Sequence, residues 1–300
     1  MGEIMSRGIL TAVITPFHND KIDFKAFERH LQNQIDAGIS GIIVSGSTGE
    51  APVLSKDEKC ELFRIAVEVV GDETEVIAGT GSYSTRDSID LGKKAAQIGV
   101  DGLLNVVPYY NKPTQEGLYQ HFKAIAAAVE PIPIYLYNVP GRTVRDLLPE
   151  TVARLAEIEN ITHLKEASGS VARVRELVEL APTITLLSGD DKTFFEGVLH
   201  GMQGVISVAS NLFPQAMVRL WRAYTADDVE TATSINTILE PIYEFLFWEP
   251  NPMPVKAAAA HFGWIHNKLR LPLVPMSARY EAEMITLFEK TQTELEPYLD

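Results

Sequence analysis

Short, near-continuous apolar runs recur along this chain, separated by longer stretches whose apolar residues repeat every three to four positions. The runs cover 9–15, 41–45, 75–79, 102–107, 132–138, 161–165, 183–188 and 204–208, and they are rich in Ile, Val and Leu. Strands covered on both faces read this way, whereas a strand with one wet face alternates. Intervening stretches such as 24–37, 56–70, 84–98, 115–129 and 171–180 carry the spacing of amphipathic helices. Ser55 with Glu58 three residues on predicts a capping box, and Thr114 before Gln115 predicts a weaker cap. Pro149 marks another helix start, while Gly38 and Gly99 each close a helical stretch ahead of a strand.

Eight such strand–helix units with short links predict a (β/α)8 TIM barrel, an α/β fold. An open doubly wound sheet would carry a glycine-rich turn after its first strand, and Thr15-Pro16-Phe17-His18 is not one. From 228 onward only helical spacing remains, over 229–248, 255–266 and 279–298, with proline-bearing linkers at 249–254 and 271–275. The expected division is a catalytic barrel over 1–227 and a C-terminal helical domain over 228–300.

Composition narrows the function classes. The 300 residues carry a formal net charge of −14 and no basic run, which argues against a nucleic-acid partner or an anionic membrane surface. Cys60 is the only cysteine, no secretory signal is evident and no apolar segment approaches a membrane span, so a cytoplasmic protein is expected. The seven histidines form no HxH or HxxxH pair, and no protein-held catalytic metal is expected.

In a barrel of this type the C-terminal ends of the strands build the site. Polar groups gather there: Ser47, Thr48 and Glu50 after the second run, Tyr109 and Tyr110 after the fourth, Tyr137 and Arg142 at the fifth, Lys165 on the sixth, Gly189 to Asp191 after the seventh, and Ser207 and Ser210 at the eighth. Lys165 decides the reading. A lysine held in an apolar run loses its charge through desolvation, and a neutral amine attacks ketones to form a Schiff base. The bland alternative is a lysine that snorkels to solvent from a strand end. Tyr137 offers a proton shuttle for imine formation, although a satisfied core tyrosine reads the same. The Ser47 hydroxyl can pass the proton to Tyr110. The N–H groups of Ser47 and Thr48 suit a carboxylate, and Arg142 suits a second one. Glu50 reads as a structural hydrogen-bond partner.

In these residues the chain resembles the dihydrodipicolinate synthases, a branch of the N-acetylneuraminate lyase family of class I aldolases. The resemblance runs from 11–17 to 270–275 and is carried by 46–50, 108–118, 137–143, 165–168, 187–191, 204–208 and 251–256. It implies that Lys165 forms the Schiff base and that Tyr137, Ser47 and Tyr110 relay protons, with Tyr110 coming from an adjacent subunit. It also implies that Thr48 holds the pyruvate carboxylate, Arg142 binds the carboxylate of L-aspartate 4-semialdehyde, and the backbone carbonyls of Gly189 and Ile206 line the site. The implied reaction condenses pyruvate with that semialdehyde to 4-hydroxy-tetrahydrodipicolinate, the first committed step toward diaminopimelate and lysine. No dissociable cofactor is implied, and the implied assembly is a homotetramer built as a dimer of dimers.

Three departures from the usual pattern matter: Ser47, Gly141 and the segments of the effector site. Ser47 replaces the threonine usual in these synthases and matches the sugar-acid lyases, which keeps an N-acetylneuraminate or 2-keto-3-deoxy sugar-acid lyase as the alternative. Arg142 pulls back, because those lyases generally lack it. Gly141 replaces a frequent serine and is neutral. In the segments where lysine-inhibited members bind their effector, this chain has Lys56, Lys59, Tyr83 and Asp87. Two ammonium groups beside a cationic effector repel it, so weak or absent inhibition by lysine is expected.

Overall fold

The computed structural model describes residues 7–299. Eight parallel strands close into a barrel: β1 (Gly8–Ala12), β2 (Gly41–Val44), β3 (Glu75–Gly79), β4 (Gly102–Val106), β5 (Ile134–Asn138), β6 (Ile161–Glu166), β7 (Thr185–Ser188) and β8 (Gly204–Ser207). Each lies beside its sequence neighbours, and β8 pairs with β1 to shut the ring. The expected barrel is therefore the observed one, with strand ends shifted by up to three residues from the apolar runs.

A main helix follows each strand: α1 (Phe24–Asp36), α2 (Lys56–Val70), α3 (Thr85–Ile98), α4 (Gln115–Val129), α5 (Pro149–Leu155, after the one-turn helix Pro140–Thr143), α6 (Val171–Leu180), α7 (Asp191–Leu199) and α8 (Pro214–Thr225). The capping box at Ser55 forms in full, with the Glu58 backbone N–H donating to the serine and the Glu58 carboxylate receiving the Ser55 N–H. Thr114 accepts from the Gly117 N–H. Gly99 ends α3 in the left-handed region, at φ +98°. Between β1 and α1 lies a small antiparallel hairpin, Phe17–His18 against Lys21–Ile22, which the apolar pattern is too short to announce.

Three further helices follow: α9 (Val229–Phe245), α10 (Met253–His261) and α11 (Glu281–Leu295). The middle helix was expected over 255–266. It starts two residues earlier, behind Pro252, and ends at His261, where Gly263 turns the chain at φ +74°. Among the described residues no helix is long and apolar enough to cross a membrane.

Alternation along the strands sorts side chains into two apolar bodies. Leu10, Ile43, Ile77, Leu104, Tyr135, Tyr137, Leu187 and Ile206 fill the inside of the ring. The opposite face of the strands joins the helices in a second, larger body. That body takes in Ile235, Leu239, Ile242 and Tyr243 of α9 and Val255 and Ala259 of α10. The C-terminal helices therefore share the barrel's outer core.

Candidate active site

Lys165 is positioned by the pairing of β6. Leu164 before it belongs to the outer core, so Lys165 faces into the ring, beside Tyr137 of β5 and Leu187 of β7 in register. Its side chain is 6% exposed. Its Nζ lies 4.5 Å from the centre of the Tyr137 ring. Burial pulls the ammonium down to about 8; Arg142 pushes the same way, and Asp191 and Asp190 oppose it. This is the perturbation an amine nucleophile needs, because a lysine at its ordinary value carries almost no free base at neutral pH.

Space for that side chain depends on Gly189. A methyl group there would stand 2.6 Å from the Ala167 Cβ and 3.1 Å from Lys165 Cγ and Cε. The next residues anchor the floor. Asp190 caps α7, and Asp191 accepts the N–H groups of Val208 and Ala209 at 2.9 and 3.0 Å.

Tyr137 is buried, and burial pushes its phenol above the ordinary value, while Arg142 and a hydrogen bond with Ser47 pull it back. It therefore carries its proton at neutral pH and can donate it. The strand end beneath it is braced. Asn138 Nδ2 donates to both oxygens of buried Glu166 at 3.0 and 3.2 Å, and Arg173 pairs with Glu166 at 3.3 Å and with Asp146 at 2.7 Å.

Ser47 and Thr48 sit on the turn after β2. Thr48 is buried and accepts a hydrogen bond from Asn251 Nδ2 at 3.0 Å. Glu50 closes the turn in the left-handed region, at φ +57°. Its carboxylate forms a fully buried ion pair with Lys256 of α10 at 2.6 Å, and its other oxygen accepts the Arg270 N–H at 3.1 Å. Lys256 also donates to the Thr15 carbonyl at 2.9 Å. Glu50 is thus the structural partner that its sequence position suggested.

A cavity of about 370 Å³ opens at this rim, lined by Ser47, Tyr109, Tyr137, Arg142 and Asn251 among others. Arg142 reaches it from the short helical turn Pro140–Thr143, with Nη2 donating to the Asn251 carbonyl at 3.4 Å. Asn251 Oδ1 is buried and has no partner among the described residues, which leaves it for a ligand. The larger grooves elsewhere contain none of the expected residues, so its side chains and not its size mark this cavity. Gly189 packs against Lys165, and Ile206 is buried in the interior cluster that also holds Tyr137.

Of the expected residues, Ser47, Tyr137 and Arg142 line the cavity, whereas Lys165, Thr48, Gly189, Ile206 and Tyr110 do not, and of these Tyr110 alone is exposed. It is 90% exposed at φ +70° and does not line the cavity. Its neighbour Tyr109 lines the cavity and meets Tyr83 edge to face, with ring centres 5.3 Å apart. Sequence reasoning also passed over Asn251 and Lys256 as individual site residues. The signal for Lys256 was present: it is the one charge inside Met253-Pro254-Val255-Lys256-Ala257-Ala258-Ala259.

Comparison with known proteins finds relatives along nearly the whole chain. The profile of the dihydrodipicolinate synthetase family matches residues 5–291. The 4-hydroxy-tetrahydrodipicolinate synthase of Leptospira biflexa serovar Patoc is 47% identical over 274 residues, covering 91% of this chain and 93% of its own. That of Kosmotoga olearia is 48% identical over 279 residues, 92% of this chain and 95% of its own. The solved 4-hydroxy-tetrahydrodipicolinate synthase from the methanotroph Methylacidiphilum fumariolicum SolV superposes with a TM-score of 0.95 at 46% identity, over 97% of this chain and 98% of that one. A chloride-inhibited dihydrodipicolinate synthase from Acinetobacter baumannii, complexed with pyruvate, gives 0.93 at 42% identity, over 95% and 99%.

Proposed function

The chain belongs to the dihydrodipicolinate synthetase family, and from that premise we propose that it condenses pyruvate with L-aspartate 4-semialdehyde to 4-hydroxy-tetrahydrodipicolinate. The observation that carries this reading is Lys165: a lysine 6% exposed, pulled down to about 8, against a tyrosine ring inside a closed barrel.

The steps follow from the groups present. Neutral Lys165 Nζ adds to the pyruvate ketone, and the carbinolamine loses water to give the imine. Tyr137, protonated and hydrogen-bonded with Ser47, supplies and retrieves the protons. Losing a methyl proton gives the enamine, whose carbon attacks the aldehyde; the semialdehyde's own amino group then adds to the regenerated imine, closes the ring and expels Lys165 Nζ as the free amine. Thr48 and its neighbours suit the pyruvate carboxylate. Arg142, exposed at the cavity mouth, suits the carboxylate of the incoming semialdehyde. The imine is itself the electron sink, so the reaction asks for no dissociable cofactor.

Tyr110 belongs to the same proposal. A phenol facing out of its own chain fits a relay completed by a second subunit, in a homotetramer of two dimers. A cytoplasmic setting fits a biosynthetic enzyme whose only cysteine is free. The division at 227/228 is retained as a boundary of architecture, between the (β/α)8 units and the added helices.

The test is capture of the imine. Pyruvate plus borohydride is expected to add the mass of a reduced pyruvate adduct at Lys165, and the initial rate of capture should rise ~tenfold per pH unit until it levels near pH 8. An unmodified Lys165 would remove the basis of the proposal.

We also propose that lysine inhibits weakly or not at all. Lys59 lines the cavity edge and carries the repulsion, whereas the Lys56 charge is offset by its pair with Asp90. Half-maximal inhibition at sub-millimolar lysine is the outcome that overturns this.

A further inference from the structure

Away from the catalytic rim, three segments bring metal-ligating groups together. His18 comes from the hairpin, Asp23 from the start of α1, and His266 from the turn beyond α10. One donor atom from each lies within 4.8 Å of the other two. None of the three lines the catalytic cavity. The two imidazoles face each other as a stack, with centres 4.3 Å apart and planes 24° apart.

All three are carried on anchored backbone. Phe17, next to His18, is fully buried, with Lys256 Nζ 4.4 Å and Arg270 Cζ 4.6 Å from its ring centre. Asp23 donates its N–H to the Pro16 carbonyl at 2.9 Å, and its Oδ1 receives the Ala26 N–H at 3.0 Å. That fixes the carboxylate and leaves its second oxygen for a cation. The His266 carbonyl accepts the Lys268 N–H at 2.8 Å.

We propose that His18, Asp23 and His266 form a site for a divalent transition metal, with zinc as the type ion. Two imidazoles and one carboxylate suit zinc, nickel or copper and not magnesium, which prefers all-oxygen shells. Nitrogen ligands about 2.05 Å from zinc in a tetrahedron sit about 3.3 Å apart, so the donors need to close by at most about 1.5 Å. Both imidazoles are exposed and can rotate to do so without disturbing the core. Lys21, opposite His18 in the hairpin, is the local charge that opposes a cation. Arg270 is occupied by Glu58 at 2.5 Å, and the chain as a whole is strongly acidic. A bound ion would clip the N-terminal hairpin to the segment after α10, and so strengthen the contact that already holds Phe17 under Lys256 and Arg270.

The experiment uses the whole chain without an affinity tag, titrated with zinc chloride by calorimetry and followed by thermal unfolding. One zinc ion per chain is expected to bind, and the unfolding midpoint should rise with free zinc by mass action. His18→Ala and His266→Ala should each weaken zinc binding at least ~10-fold, and magnesium should not substitute. Asp23→Asn, which keeps an acceptor for the helix cap, should weaken it as well. Unchanged turnover without zinc shows that the variants fold. Equal zinc binding by the parent and by a His18→Ala/His266→Ala double variant overturns the site. So does no binding by the parent up to about 1 mM zinc, or loss of binding only on Cys60→Ser.

Discussion

Replacing Lys165 by methionine is expected to abolish the pyruvate adduct, cut turnover by roughly 10⁴-fold or more, and make the protein more stable. The last effect follows from the depressed ammonium. In the folded state the group titrates near 8, and unfolded it titrates at 10.5. Below pH 8 the folded chain holds that proton at a disadvantage of about 3 kcal/mol, and methionine removes the penalty at similar volume. The difference between the two proteins should shrink as pH rises from 8 through 10.5, above which neither state binds the proton. Urea melts at pH 7 and pH 10 measure it. A methionine variant no more stable than the parent at pH 7 would mean that Lys165 is not held in a desolvated site. Stability sacrificed for a nucleophile is a recurring exchange in enzymes.

The second large effect concerns Lys256. Its side chain and that of Glu50 are both fully buried, so Lys256→Ala strands a carboxylate with only the Arg270 N–H to meet it. Removing one partner of such a pair costs about 3–5 kcal/mol. The double change Lys256→Met with Glu50→Gln should cost much less, because no uncompensated charge remains. Denaturant unfolding separates the two cases. Turnover should fall in the single variant beyond what unfolding explains, since Glu50 closes the turn that carries Ser47 and Thr48. A loss of under ~1 kcal/mol would show that Glu50 finds another partner or leaves the interior.

The barrel was legible because its strands are buried on both faces and so stand out as unbroken apolar runs. The start of α2 was legible because its capping box is a local device. The hairpin before α1 was not, since two-residue arms give no period. At the site, Lys165 and Tyr137 were legible from position alone: charge and hydroxyl at the ends of apolar strands. The Lys256–Glu50 pair was not, because its partners meet across the closed fold. His18 and His266 escaped for the same reason, since ligands drawn from opposite ends of a chain leave no motif. The outward-facing Tyr110 was legible only through the family resemblance, which placed it at an adjacent subunit, because its left-handed backbone at φ +70° leaves no local signal in the sequence.

The path of Glu50 to α10 limits how freely this family's parts can be exchanged. A ring of strands ending near residue 227 would keep Lys165, Tyr137 and Arg142, yet lack Asn251, Lys256 and Arg270, which hold Thr48 and Glu50. Tail and ring must therefore be inherited together. A chimera that swaps its trailing helices for a relative's would have to import the matching turn after β2, or leave Thr48 and Glu50 without these partners.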